Sequence, residues 1–190
     1  FPPQTVSRAL ALLFLRACLS TAPLTGPFGI AGGAAMAALI GASLPVSSLI
    51  PVHGLVQLGS NFGRTWQQRD NVVWATLLPF LAGALAGAAI GATMVIQLPE
   101  APLKLSLGAF ILIVTWVKLP DISAVGRTTI GLAGTAVAFL SMLFGASAPL
   151  LAAFFEKAFP DRREMVATSA AAMILVHGLK VAAFALAGFA

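Results

Sequence analysis

Charge is scarce in this sequence. Asp, Glu, Lys and Arg together make 9% of it, where a soluble domain carries about 25%. That is too little polar surface to cover a water-soluble globule of 190 residues. Cysteine is almost absent. The single Cys18 excludes an intrachain disulfide framework, and its apolar surroundings suit packing rather than metal or redox chemistry. Tyrosine is missing altogether, so Trp66, Trp74 and Trp116 are the available interfacial anchors. Catalytic signatures are missing too. There is no H-E-x-x-H, no G-x-S-x-G and no phosphate loop ending in GK[ST]. The six acidic residues lie in or next to loops. These absences speak against an enzyme, a carboxylate-lined cation site and ATP-driven work by this chain. No cofactor or metal is implied.

What is present is apolar and continuous. Hydrophobic residues make 59% of the chain, and the mean hydropathy is +0.97. The runs do not alternate over ~10 residues as barrel strands would. The 18 glycines suit close helix packing in lipid. The expected fold is an all-α polytopic membrane protein in the lipid bilayer. The +5 net charge falls largely in short loops, where Lys and Arg record orientation rather than nucleic-acid binding. The chain opens on Phe1 rather than Met, so a longer natural N-terminus is expected.

Residues 8–42 are apolar and interrupted near the middle by Gly26-Pro27-Phe28-Gly29-Ile30-Ala31-Gly32-Gly33. A spanning helix needs ~20 residues, so this block reads as two shorter helices meeting at a glycine elbow. Non-helical backbone at membrane depth is tolerated against protein or beside a wet cavity. The elbow is therefore either substrate-facing or a tight helix contact. Spans follow at 46–65, 72–98 and 103–117. In the first, His53, Gln57, Ser60, Asn61 and Arg64 share one helical face. In the second, Gly83, Gly87 and Gly91 form a flat stripe for a neighbouring helix. The loop from Arg64 to Asp70 is basic, as are 118–128 and 157–164, and all three are assigned to the cytoplasm. A second broken block, 129–156, is interrupted at Gly145-Ala146-Ser147-Ala148-Pro149. A last span covers 165–190, where Thr168 or Ser169, Met173, His177 and Lys180 share a face.

One tetrapeptide occurs twice. Val52-His53-Gly54-Leu55 and Val176-His177-Gly178-Leu179 contain the only two histidines. An ionisable ring inside an apolar span is by default a functional-site hypothesis, with a packed, carbonyl-bonded histidine as the alternative. Each copy follows a broken block. The basic loop follows the first copy but precedes the second, so the two helices run in opposite directions. That is an inverted-topology repeat with broken or re-entrant glycine-rich helices. The first half is 1–117 and the second, incomplete half is 129–190. Parity makes each broken block a re-entrant hairpin; one kinked, tilted span per block is the alternative.

Three stretches together resemble the sulfite exporter TauE/SafE family, also called the 4-toluene sulfonate uptake permease family. They are the elbow 26–33, residues 51–74 (PVHGLVQLGSNFGRTWQQRDNVVW) and residues 145–180 (GASAPLLAAFFEKAFPDRREMVATSAAAMILVHGLK). The resemblance covers essentially the whole chain. It implies a multi-pass permease of the bacterial inner membrane, with two homologous halves, for sulfite, sulfonates or related organic anions. The elbow GPFGIAGG is less glycine-dense than the family's usual run. The family also continues through further spans beyond the second VHGL helix, so the chain is expected to be truncated at its C-terminus.

An oxyanion needs hydrogen-bond donors and positive potential without a deep trap. Backbone N–H groups at a broken helix's N-terminus supply both. The candidate substrate-binding residues are Gly29, Gly32 and Gly33 in one elbow, Gly145 and Ser147 in the other, and His53, Gln57, Asn61, His177 and Lys180 on the facing helices. Lys180 provides fixed charge or, alternatively, snorkels or bonds a carbonyl. Histidine titrates near neutral pH, which makes His53 and His177 candidates for proton coupling. Transport is then secondary or facilitated. The rival reading is a non-transporting membrane scaffold or assembly factor.

The inverted arrangement predicts sidedness. A cysteine placed at Glu100 is labelled from outside the cell, and cysteines at Ile122 and Pro160 only from the cytoplasm. Labelling of position 160 from outside overturns it.

Overall fold

A computed structural model describes residues 46–95, 126–144 and 147–186. All of the regular structure among them is helical: α1 (Val46–Gln67), a 3-10 turn (Arg69–Asn71), α2 (Trp74–Val95), α3 (Arg127–Phe144), α4 (Ala148–Ala158) and α5 (Arg162–Leu186). The chain is an all-α membrane protein. Three helices, Trp74–Met94, Arg127–Phe144 and Arg162–Leu186, are long and apolar enough to cross a bilayer. α1 has 22 residues, about 33 Å at 1.5 Å per residue. Its polar face keeps it off that set. The elbow 26–33, the rest of block 8–42 and the span 103–117 lie outside the described residues.

Two expected loops are shorter than their charges suggest. Arg64–Gln67 belong to α1, and Lys157 belongs to α4 while Arg162–Glu164 open α5. Charge alone does not end a helix; Arg, Gln, Lys and Glu are good helix formers. Local chemistry sets the true ends. Asp161 caps α5, its Oδ1 accepting the Arg163 N–H at 2.7 Å where a negative charge also suits the helix dipole. Pro149 stands in the first turn of α4, where its missing N–H costs nothing.

The closest packing joins α2 to α3. A Cβ at Gly83 would collide with the Gly131 carbonyl, one at Gly87 with the Thr135 carbonyl, and one at Gly134 with the Phe80 carbonyl. A Cβ at Gly91 would come within 2.7 Å of Met142 Cβ. The glycine stripe on α2 therefore has its neighbouring helix, and glycines on α3 answer it. The Thr135 hydroxyl donates to the Gly83 carbonyl at 3.0 Å across the contact. Contacts advance together along both chains, so α2 and α3 run parallel.

Direction follows for the other helices. His53 meets His177 and Gly54 meets Lys180. Beyond the end of α1, the Val73 N–H donates to Thr168 Oγ1 at 3.0 Å. Higher numbers in the first half thus face lower numbers on α5, and α1 and α5 are antiparallel. Phe155, late in α4, packs edge-on against Phe80, early in α2, at 6.1 Å between centroids. α4 therefore runs against α2 and α3. Had α4 continued α3 as one kinked span, Phe155 would lie ~30 Å past Gly134, which abuts Phe80. The second broken block is a helical hairpin.

These directions bring Arg64, Arg69, Arg127, Lys157, Arg162 and Arg163 to one end of the bundle. Lys180 is the only described basic residue away from that end. The core between the helices holds Phe80 and Ala84 of α2, Val137 and Met142 of α3, Leu151 and Phe155 of α4, and Met173 and Val176 of α5. The close contact yields a contrast between glycines. Gly87→Val forces two backbones apart and is expected to lower stability by more than the ~1–3 kcal/mol usual for overpacking. Gly63, with nothing within 4 Å of its added Cβ, tolerates alanine and gains up to about 1 kcal/mol of helix propensity. Thermal unfolding in detergent checks both.

Candidate functional site

The site begins with two copies of one tetrapeptide on antiparallel helices. A histidine on each helix then faces the other across the crossing. The His53 and His177 rings lie 5.8 Å apart between centroids, at 72°. Both are buried, at 1% and 3% exposure. One turn beyond His177, Lys180 is fully buried. Its stem lies on Gly54: a Cβ there would stand 3.3 Å from Lys180 Cδ and 3.3 Å from Val181 Cγ2. The glycine of the first tetrapeptide thus makes room for the lysine that follows the second. Among the described residues, Gly178 has no neighbour within 4 Å of an added Cβ. The two copies share a sequence but not a role.

The rest of the α5 face points the same way. Thr168 and Met173 are buried along with His177 and Lys180. Thr168 spends its oxygen on the Val73 N–H, so it fastens the α1–α2 connection rather than facing a ligand. Asn61 is buried on α1 and its Nδ2 donates to the Gln57 carbonyl at 2.8 Å. That bond ties Asn61 back to its own helix. The Gln57 side chain is half-buried.

Ser147 caps the N-terminus of α4 but does not bond it. It is the N-cap residue, with φ −121 and ψ 0, and its hydroxyl makes no capping hydrogen bond. The Leu151 N–H bonds the Ser147 carbonyl at 3.2 Å. The amides of Ala148 and Leu150 lie in the first turn, where a helix offers no carbonyl to its own N–H groups. Ser147 is 1% exposed, and its Oγ has no hydrogen-bond partner; the same is true of Ser141 Oγ and of His177 Nδ1. α4 packs on α5, and its Leu151 shares a core with Val176 and Phe184. α4 and the stretch of α5 around Met173 and Val176 thus contribute to one core. Gly29, Gly32, Gly33 and Gly145 lie outside the described residues.

The chemistry of this region is that of a donor. It offers two imidazoles, a lysine amine, a serine hydroxyl and first-turn amides. The carboxylates among the described residues are elsewhere: Asp70, Glu156 and Asp161 are exposed and Glu164 is half-buried in the first turn of α5. No group of three or more His, Cys, Asp or Glu among the described residues is arranged to hold a metal ion. Sequence reasoning missed Ser141. A serine in the last turn before a helix break was its only signal, and serines are common there.

A family model described as Sulfite exporter TauE/SafE matches residues 13–190. No curated protein and no solved structure matches the chain significantly.

The helix crossing makes a direct prediction. With Cys18→Ser removing the native thiol, the pair His53→Cys and His177→Cys is expected to join through a short thiol crosslinker. Leu55→Cys, which is exposed, with His177→Cys is not. Equal crosslinking of both pairs on a denaturing gel overturns the facing of α1 and α5.

Proposed function

Since the chain belongs to the sulfite exporter TauE/SafE family, a family of membrane transporters, we propose that it is a permease for small anions: sulfite, sulfonates and related organosulfur or organic anions. It works by a secondary or facilitated mechanism in the bacterial inner membrane. The observation that carries this reading is the buried meeting of His53, His177 and Lys180 where α1 crosses α5. Burying an ammonium among apolar helices is costly. A protein retains such a group where it acts, and positive charge with neutral donors acts on anions.

The antiparallel VHGL helices support an inverted repeat, with the basic end of the bundle in the cytoplasm. The hairpin α3–α4 then enters and leaves on the cytoplasmic side. Its tip brings the α4 N-terminus to the site, where the helix dipole adds partial positive charge. The anion is held by donors on two sides, from the α1–α5 crossing and from the hairpin tip. His53 and His177, as side chains of the type that ordinarily titrates nearest neutral pH, are the groups that couple anion movement to protons in this reading. Asn61 has one N–H committed to its own helix, which leaves Gln57 and the rest of the Asn61 amide as secondary donors in this reading.

Counterflow in proteoliposomes tests this, with sulfite, sulfonates, sulfate and carboxylates as the panel. Lys180→Met keeps the stem's packing on Gly54 and removes the charge. It is expected to lower the sulfite rate roughly tenfold or more, as the loss of a charged hydrogen bond does. His53→Gln with His177→Gln is expected to flatten the pH dependence of uptake. No flux with any anion overturns the permease reading, and an unchanged pH profile overturns the coupling.

A further inference from the structure

Two serines flank the break in the α3–α4 hairpin. Ser141 lies in the last turn of α3, and Ser147 is the N-cap of α4. Their exposures are 0% and 1%, and neither hydroxyl has a hydrogen-bond partner among the described residues. Both departures are unusual for their positions. A helical serine ordinarily donates to a carbonyl three or four residues back, and Ser141 does not. An N-cap serine ordinarily accepts an N–H from the first turn, and Ser147 does not. A buried polar group left unsatisfied costs about 1–3 kcal/mol. The same end of the hairpin holds the first-turn amides of an 11-residue helix.

We infer that Ser141 and Ser147 form a hydroxyl clamp at the hairpin tip that, with the first-turn amides of α4, binds the oxygen atoms of a singly charged oxyanion. The inference rests on the anion-permease reading and adds Ser141 and a charge preference to it. The donors at the tip are neutral: two hydroxyls and backbone amides. Their surroundings are apolar, with Met142 and Leu143 beside Ser141 and Leu151 one turn into α4, all buried. Neutral donors in such a setting, with Lys180 as the one cationic side chain assigned to the site, offset the desolvation of one negative charge far better than of two. Hydrogen sulfite and alkyl or aryl sulfonates meet that condition. Sulfate, a dianion at neutral pH, does not. A hydroxyl is also suited to a site that must release its ligand, because it adds a hydrogen bond without adding fixed charge.

The test uses the full chain in two assays, binding by sulfite-dependent thermal stabilisation in detergent and flux in proteoliposomes. Ser141→Ala and Ser147→Ala are each expected to raise the KM for methanesulfonate or sulfite roughly tenfold and to abolish most of the thermal stabilisation. Their unliganded melting temperatures are expected at or above the wild-type value, because each variant loses an unsatisfied hydroxyl, and their amounts in the membrane stay at the wild-type level. Ser147→Thr, which retains a hydroxyl, is expected to recover binding. Sulfate is expected to compete weakly in every variant. Wild-type flux with normal KM and stabilisation in both alanine variants overturns the clamp and leaves the permease reading standing. Stabilisation that depends on the serines without flux overturns transport and supports the clamp. A drop in unliganded stability or in membrane amount with KM unchanged assigns the serines to packing and overturns the clamp.

Discussion

The contact of α2 with α3 is the constraint on which the rest of this bundle depends. Lipid tails are as apolar as leucine side chains, so the hydrophobic effect does little to bring helices together inside a bilayer. Association rests on packing and on hydrogen bonds between helices. Gly83, Gly87 and Gly91 on one side and Gly131 and Gly134 on the other let the two backbones touch, and Thr135 bonds across. That contact fixes the parallel direction of α2 and α3, although a long stretch of chain separates them in sequence. α3 then sets where its hairpin partner α4 returns, and α4 presses Phe155 back onto Phe80. α2 thereby ties the first tetrapeptide's half to the second's hairpin.

The second joint, between α1 and α5, is of a different kind. It is narrow at Gly54 and polar near His53 and His177. Thr168 closes it toward the basic end by accepting the Val73 N–H. The bundle thus combines a tightly packed pair and a polar pair. The glycine contact resists motion because a fraction of an ångström there means overlap of backbones. The polar crossing instead holds two imidazole rings and a lysine stem lying on a glycine.

Charge follows the same division. Six of the described basic residues gather at one end through the directions of five helices, and there they face water at little cost. Of the described Lys and Arg residues, Lys180 alone lies within the bundle. An arginine or lysine at a helix end reports orientation, and a lysine in the core reports chemistry. The position decides between those meanings, not the residue type.

Composition alone determined that this chain is helical and lives in a membrane: with so few charges and unbroken apolar runs, no other solvent suits it. The glycine spacing on α2 determined that some helix would press there, because only a flat face with four-residue repeats serves that purpose. Which helix, and in which direction, depended on glycines nearly fifty residues away, a distance over which local pattern carries no information. The repeated tetrapeptide marked His53 and His177, and the basic loops implied that their helices oppose each other. That Gly54 supports Lys180 while Gly178 supports nothing, that Asn61 bonds its own helix, and that Ser141 withholds its hydroxyl were decided only by the tertiary structure. Identical letters acquire different roles because burial and neighbours, which come from distant segments, set what each side chain can bond.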